Sequence, residues 1–161
     1  RWFAKDEAFD QRFRAQCLAL HEEAARGDLD SWLADPSGAL ALVLLLDQFP
    51  RNCFRGTPRM FATDAAARAV ASAAIEAGHD RAIDPDVRVF LYLPFEHSED
   101  PADQERAVAL IAPLGPELLS YAEAHRDIIR RFGRFPHRNA ILGRETTPEE
   151  QRFLDEGGFA G

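Results

Sequence analysis

Thr57-Pro58, Asp84-Pro85, Asp100-Pro101, Gly115-Pro116 and Thr147-Pro148 each set a proline just ahead of a stretch whose apolar residues recur every three or four positions. Proline fits the first turn of a helix, where its missing N–H has no partner to lose, and is rejected from helix interiors and central strands. A chain punctuated this way is expected to fold as a succession of helices joined by tight turns.

The pattern between those marks agrees. Phe9, Phe13, Cys17 and Leu20 predict a first helix from about Asp6 to Arg26, stopped by Gly27. Leu29, Trp32 and Leu33 predict a short second helix ended by Asp35-Pro36. Ser37 is placed to cap a third, which runs through the apolar stretch Ala39 to Leu46 as far as Gln48, with Pro50 as its stop. An Ala-rich helix from Asp64 to Ala77 closes at Gly78, and the Asp84-Pro85 and Asp100-Pro101 helices follow, with Pro94 between them. A helix from Pro116 carries Leu118, Tyr121, Ala122, His125, Ile128, Ile129 and Phe132 to a stop at Gly133. Thr147, Pro148 and Glu150 begin the last helix. Only Val87 to Leu93 offers a rival strand pattern. The expected fold is all-α, built of antiparallel helical hairpins.

At 161 residues the chain suits one domain, residues 1–161, and its balance of 46% hydrophobic and 29% charged residues argues against a disordered tail. No apolar run approaches the roughly 20 residues of a membrane span. The chain opens on Arg1-Trp2-Phe3 without a basic and apolar leader, and since it lacks an initiating Met a few natural N-terminal residues are expected to be absent. Cys17 and Cys53 lack paired spacing, which suits a reducing cytoplasm. A net charge of −8 disfavours nucleic acid and anionic membranes as partners.

That average conceals a concentration of positive charge. Residues 48–59 hold Arg51, Arg55 and Arg59 without an acid, and residues 126–144 hold Arg126, Arg130, Arg131, Arg134, Arg138 and Arg144 against Asp127 alone. Both segments contain a similar string: Phe49-Pro50-Arg51-Asn52 followed by Arg55, and Phe135-Pro136-His137-Arg138-Asn139 followed by Arg144. Arginine's planar fork suits carboxylate or phosphate, so Arg51, Asn52, Arg55, Arg131, Arg134, His137, Arg138 and Asn139 are candidate ligand-binding residues. The competing reading is that these arginines satisfy helix ends and acidic neighbours of the same chain.

In Leu93-Pro94-Phe95-Glu96-His97-Ser98-Glu99-Asp100, an imidazole lies between carboxylates in a proline-bounded turn, which makes His97 with Glu99 a candidate acid, base or ligand. His125 shares a helical stripe with Tyr121, Ile128 and Phe132 and is expected to face inward or into a cleft. His97, Glu99, His125 and His137 lack the spacing of a metal site, and neither metal nor cofactor is expected. Nucleophile-elbow, Walker and dinucleotide motifs are absent from the sequence. His21 and His79 receive no role.

The strings Leu46-Asp47-Gln48-Phe49-Pro50-Arg51-Asn52, Phe54-Arg55-Gly56, Pro94 to Glu99 and Arg131-Phe132-Gly133-Arg134-Phe135-Pro136-His137-Arg138-Asn139, with Leu142-Gly143-Arg144, Thr147 and Glu150, resemble a bacterial family, domain of unknown function 924. Thr146, where the family often carries Ser, and Cys53 are minor departures. The resemblance implies an α-hairpin array of the tetratricopeptide-like kind and supplies no reaction.

Two functions follow from the residues. One is a binding module whose arginine and histidine cleft, on a concave helical layer, takes an anionic small molecule or an acidic peptide. The other is an enzyme in which arginines fix a phosphate or carboxylate while His97 with Glu99, or His125, moves a proton. A purely structural role for the motif is the third reading. Oligomeric state is not legible.

Overall fold

The computed structural model describes residues 7–159, and among them every regular element is helical. Asp6, the expected start of the first helix, and the Arg1-Trp2-Phe3 opening lie outside the described residues. The described chain divides into two compact units, one formed by the residues up to Arg55 with Arg59–Phe95, the other by Gly56–Pro58 with the residues from Glu96 onward.

In the first unit, α1 (Glu7–Arg26) ends at Gly27, whose φ of 82° only glycine adopts without strain. A 3₁₀ turn (Asp30–Ala34) stands where a second helix is expected. Next comes α2 (Pro36–Val43), capped by Asp35, whose carboxylate accepts from the Gly38 N–H, rather than by Ser37. Asp35 wins because the following proline occupies the first helical position and makes it the N-cap. The unit continues through α3 (Phe49–Cys53), α4 (Asp64–Glu76), α5 (His79–Ala82) and α6 (Pro85–Arg88). The rival strand Val87 to Leu93 is helical except for a turn at Tyr92.

Pro50 does not stop the third helix. One π turn over Leu44–Gln48 precedes it, so that Pro50 falls in the first turn of α3, where a proline ring is tolerated. The turn and the proline still leave carbonyls without helical donors, and side chains take them. Leu45 O accepts from His21 Nδ1 at 2.9 Å, Leu46 O from the Thr63 hydroxyl at 2.6 Å and Asp47 O from Arg51 at 3.1 Å. His21 is therefore a framework residue, stacked on Phe49 with ring centroids 4.9 Å apart. Ala24, Leu42, Leu45, Leu46 and Ala67 form the buried core beside it.

After α7 (Leu93–Glu96), within which the unit boundary falls, the second unit contains α8 (Pro101–Ile111), α9 (Pro116–Phe132), α10 (Asn139–Leu142) and α11 (Pro148–Asp155). Asp100 caps α8, and Thr147 with Glu150 forms a reciprocal capping box on α11. Ile128, Ile129 and Phe135 are buried together, with Phe132 and Phe153 packed against them.

Candidate functional site

The first string's cations are engaged inside their own unit. Arg51 donates to both carboxylate oxygens of Asp64, at 2.8 and 3.1 Å, and lies 3.1 Å from Asp47. Burial alone would loosen its proton, but the two aspartates hold the guanidinium firmly charged. Arg55 pairs with Asp10 at 3.2 Å, and Arg59 pairs with Glu22 while lying 4.0 Å over the Phe54 ring. Asn52 is buried, and its Nδ2 has no hydrogen-bond partner.

In the second unit Gly133 ends α9 at φ 70°, and the chain turns so that Phe135 is fully buried. Its N–H donates to Glu99 at 2.8 Å, and Arg144 forks onto both oxygens of the same carboxylate at 2.8 and 3.0 Å. Burial would raise the Glu99 carboxyl, but these donors outweigh it and hold the group below the usual carboxylate range. Arg144 also donates to Asn139 Oδ1 and to Phe135 O. Asn139 Nδ2 and both donors of Arg134 converge on Glu150, whose carboxyl falls to about 2, chiefly through Arg134. Exposed Arg131 pairs with Glu149 across the surface and lies 4.6 Å over the Phe132 ring. Glu99 is thus the anchor of the Phe135–Arg144 loop, not an available base.

The three candidate histidines gather beside this braced loop. His97 and His125 have ring centroids 6.5 Å apart. His125 is buried, with Nδ1 at 2.8 Å from Tyr121 O and 3.5 Å from Glu96 Oε1. A carbonyl only accepts, so Nδ1 carries the proton. The acid that faces His125 is therefore Glu96, buried and missed from sequence, because adjacent positions in a one-turn helix give no hint of which carboxylate points inward. Gln104 supports the segment by donating to the carbonyls of Glu96 and Ser98, both at 2.6 Å, and Arg138 donates to His97 O at 2.8 Å. Arg138 is itself buried, 4.6 Å over the Phe135 ring.

His137 lies 5.7 Å from the Phe135 ring, and its Nδ1 is buried without a hydrogen-bond partner. Burial, helped by Arg138 and His125, pushes its imidazole down to about 4, so the ring is neutral at physiological pH. One further residue, Phe159, completes the cluster. Its ring is 4.5 Å from His125 and 5.1 Å from His137. A lone apolar residue after two glycines carries no periodic signal, and sequence reasoning could not have found it. Among the described residues no group of three or more His, Cys, Asp or Glu side chains is arranged to hold a metal ion. No helix among them is long and apolar enough to cross a membrane.

The family model described as a bacterial protein of unknown function (DUF924) matches residues 1–158. A solved structure from Agrobacterium tumefaciens, described as a protein of unknown function, is 59% identical in sequence and superposes with a TM-score of 0.96. That match covers 98% of this chain and 89% of the other. Comparison with curated proteins gives no match.

Proposed function

The chain belongs to the bacterial DUF924 family of unknown function, and we propose that it is a binding module for a carboxylate- or phosphate-bearing small molecule, with its site at the histidine cluster of the second unit. The observation that carries this reading is the orphaned Nδ1 of His137, buried beside a buried guanidinium and facing a cluster of two further imidazoles. Buried polar atoms are nearly always paired, and one that is not marks strain or a missing partner. An entering anion would supply that partner, and its charge would raise the His137 pKa and draw a proton onto the ring.

In this reading His97, His125, His137 and Arg138 contact the ligand. Arg134, Asn139 and Arg144 hold the loop, with Glu99 and Glu150 as their counter-charges. Arg51 braces the π turn of the first unit and Arg55 pairs with Asp10, and neither they nor Asn52 meet ligand. A net charge of −8 and the free thiols of Cys17 and Cys53 fit a cytoplasmic protein that does not bind nucleic acid.

Titration calorimetry with acetate and with inorganic phosphate, each in two buffers of different ionisation heat, tests the proposal. Saturable binding with proton uptake, and loss of that uptake in His137→Phe, is the expected result. Absence of saturable binding by both anions would sink it. A second reading, acid–base catalysis, is favoured by one observation, the Glu96-facing Nδ1 of His125, which orients the imidazole as a base is oriented in proton-transfer sites. Turnover of a phosphate or carboxylate ester, abolished in His125→Asn with affinity retained, would establish it over simple binding.

A further inference from the structure

Phe159 is an unusual occupant for a polar cluster. It is 41% exposed, yet its ring makes edge contacts to His125 and His137 instead of entering the nearby core. The chain reaches that position through a specific turn. At the end of α11 the Gly157 N–H bonds to Leu154 O and the Gly158 N–H to Phe153 O, with Gly157 at φ 84°. This is the glycine-terminated helix stop that reverses chain direction. Gly158 is required for a second reason. A Cβ there would lie 2.5 Å from Phe153 O and 2.6 Å from its ring, so any side chain forces the segment off α11. Two successive glycines, one needed for its dihedral and one for close approach, serve to lay a phenyl ring across two histidines.

Phe159 also borders an apolar groove of about 300 Å³, lined with it by Ala124, Ile128, Phe132 and Phe153 and by the charged pair Asp127 and Arg131. The Phe159 ring meets both imidazoles and also borders this groove, so its place suits an aromatic group, and the orphaned His137 Nδ1 and buried Arg138 are suited to an acid. We propose that Phe159 is a displaceable internal occupant and that the ligand class is an aromatic carboxylate, its ring taking the place of the Phe159 phenyl. This inference rests on the binding reading above and narrows it to one chemical class. Because the internal ring competes, apparent affinity in the intact chain is the intrinsic affinity reduced by the fraction of time that place is open.

The test compares phenylacetate with acetate on the intact protein, Phe159→Ala and Gly158→Ala, by titration calorimetry, with circular dichroism to confirm helix content. A ring seated about nine-tenths of the time imposes a tenfold penalty. Removing or unseating it should therefore raise the ratio of phenylacetate to acetate affinity by about tenfold in either variant. Cyclohexylacetate should gain less, since edge contacts to imidazole favour an aromatic partner. An unchanged or lower ratio in both variants, with acetate still binding, overturns the aromatic class and leaves the anion site standing. Failure of every probe on every protein overturns the anion site, and this inference with it.

Discussion

Acid should weaken the fold through His137 as the pH falls below the ordinary imidazole value. Burial pushes this imidazole down to about 4 in the folded chain, against an ordinary value of 6.5. A group with a depressed folded pKa is stabilising above its unfolded value, and that contribution is lost as pH falls through the interval between the two. At 1.36 kcal/mol per pH unit the whole interval corresponds to about 3 kcal/mol, trimmed by solvent at the exposed edge of the ring. Roughly 2 kcal/mol of it should vanish between pH 6.5 and 5. His137→Phe keeps a ring of similar size and removes both the titration and the unpaired nitrogen, so at pH 7 it should be as stable as the parent or slightly more so. Urea unfolding followed at 222 nm, repeated at half-unit intervals from pH 7 to 4.5, measures the difference. His21, also depressed by burial, contributes the same sign to both proteins and cancels. Parallel loss of stability in parent and variant across that window would show that His137 is not held neutral, and the proton uptake expected on anion binding would lose its basis.

The braces should be costly in proportion to what they leave unpaired. Thr63→Val keeps the shape of the side chain but strands the Leu46 carbonyl, which has only a proline where its helical donor would be; a loss of about 1 to 3 kcal/mol in urea unfolding is expected, and none would refute the bracing. Leu46→Ala, in the core of the first unit, should cost about 3 kcal/mol and lower the melting temperature accordingly in calorimetry. Thr147→Ala should cost about 1 kcal/mol by the same assay as half of the capping box on α11 disappears.

The helices that pack by a long amphipathic face were legible, as were short ones opened by a cap and a proline, such as Thr147-Pro148. Gly115-Pro116 and Gly133 bound α9 where periodicity and stop signals placed it. By contrast, the apolar run Ala39 to Leu46 reads as one uninterrupted helix up to Pro50, because a π turn differs from an α turn only in which carbonyl each N–H reaches, and hydrophobicity is blind to that choice. The His97 region was legible as a place and not as a set of partners. Glu99 stands two positions after the histidine in sequence, but its charge is spent on Arg144, 45 residues away, and the inward-facing acid is Glu96. Long-range pairing of arginine with carboxylate is decided by which loops meet, and a single sequence contains no record of that.

The two similar strings illustrate why residue type alone cannot assign a site. In Phe49-Pro50-Arg51-Asn52 the proline strips donors from a helix, and the neighbouring polar groups repair the loss: Arg51 bonds back to Asp47 O and to two aspartates, while His21 and Thr63 reach in from elsewhere. In Phe135-Pro136-His137-Arg138-Asn139 the proline opens a single 3₁₀ turn, which removes nothing that needs repair. The loop carbonyls and carboxylates are covered by Arg144 and Arg134, which stand outside the string's own Arg position. Arg138 donates to a backbone carbonyl, His97 O, and His137 keeps an unpaired nitrogen. The Phe, Pro, Arg and Asn that the two strings share do not separate them, since Asn52 Nδ2 is itself unpaired; the second string differs in adding His137, whose buried unpaired nitrogen lies in a histidine cluster. That difference, together with what lies around each string, is the physical reason for locating binding at the second and bracing at the first.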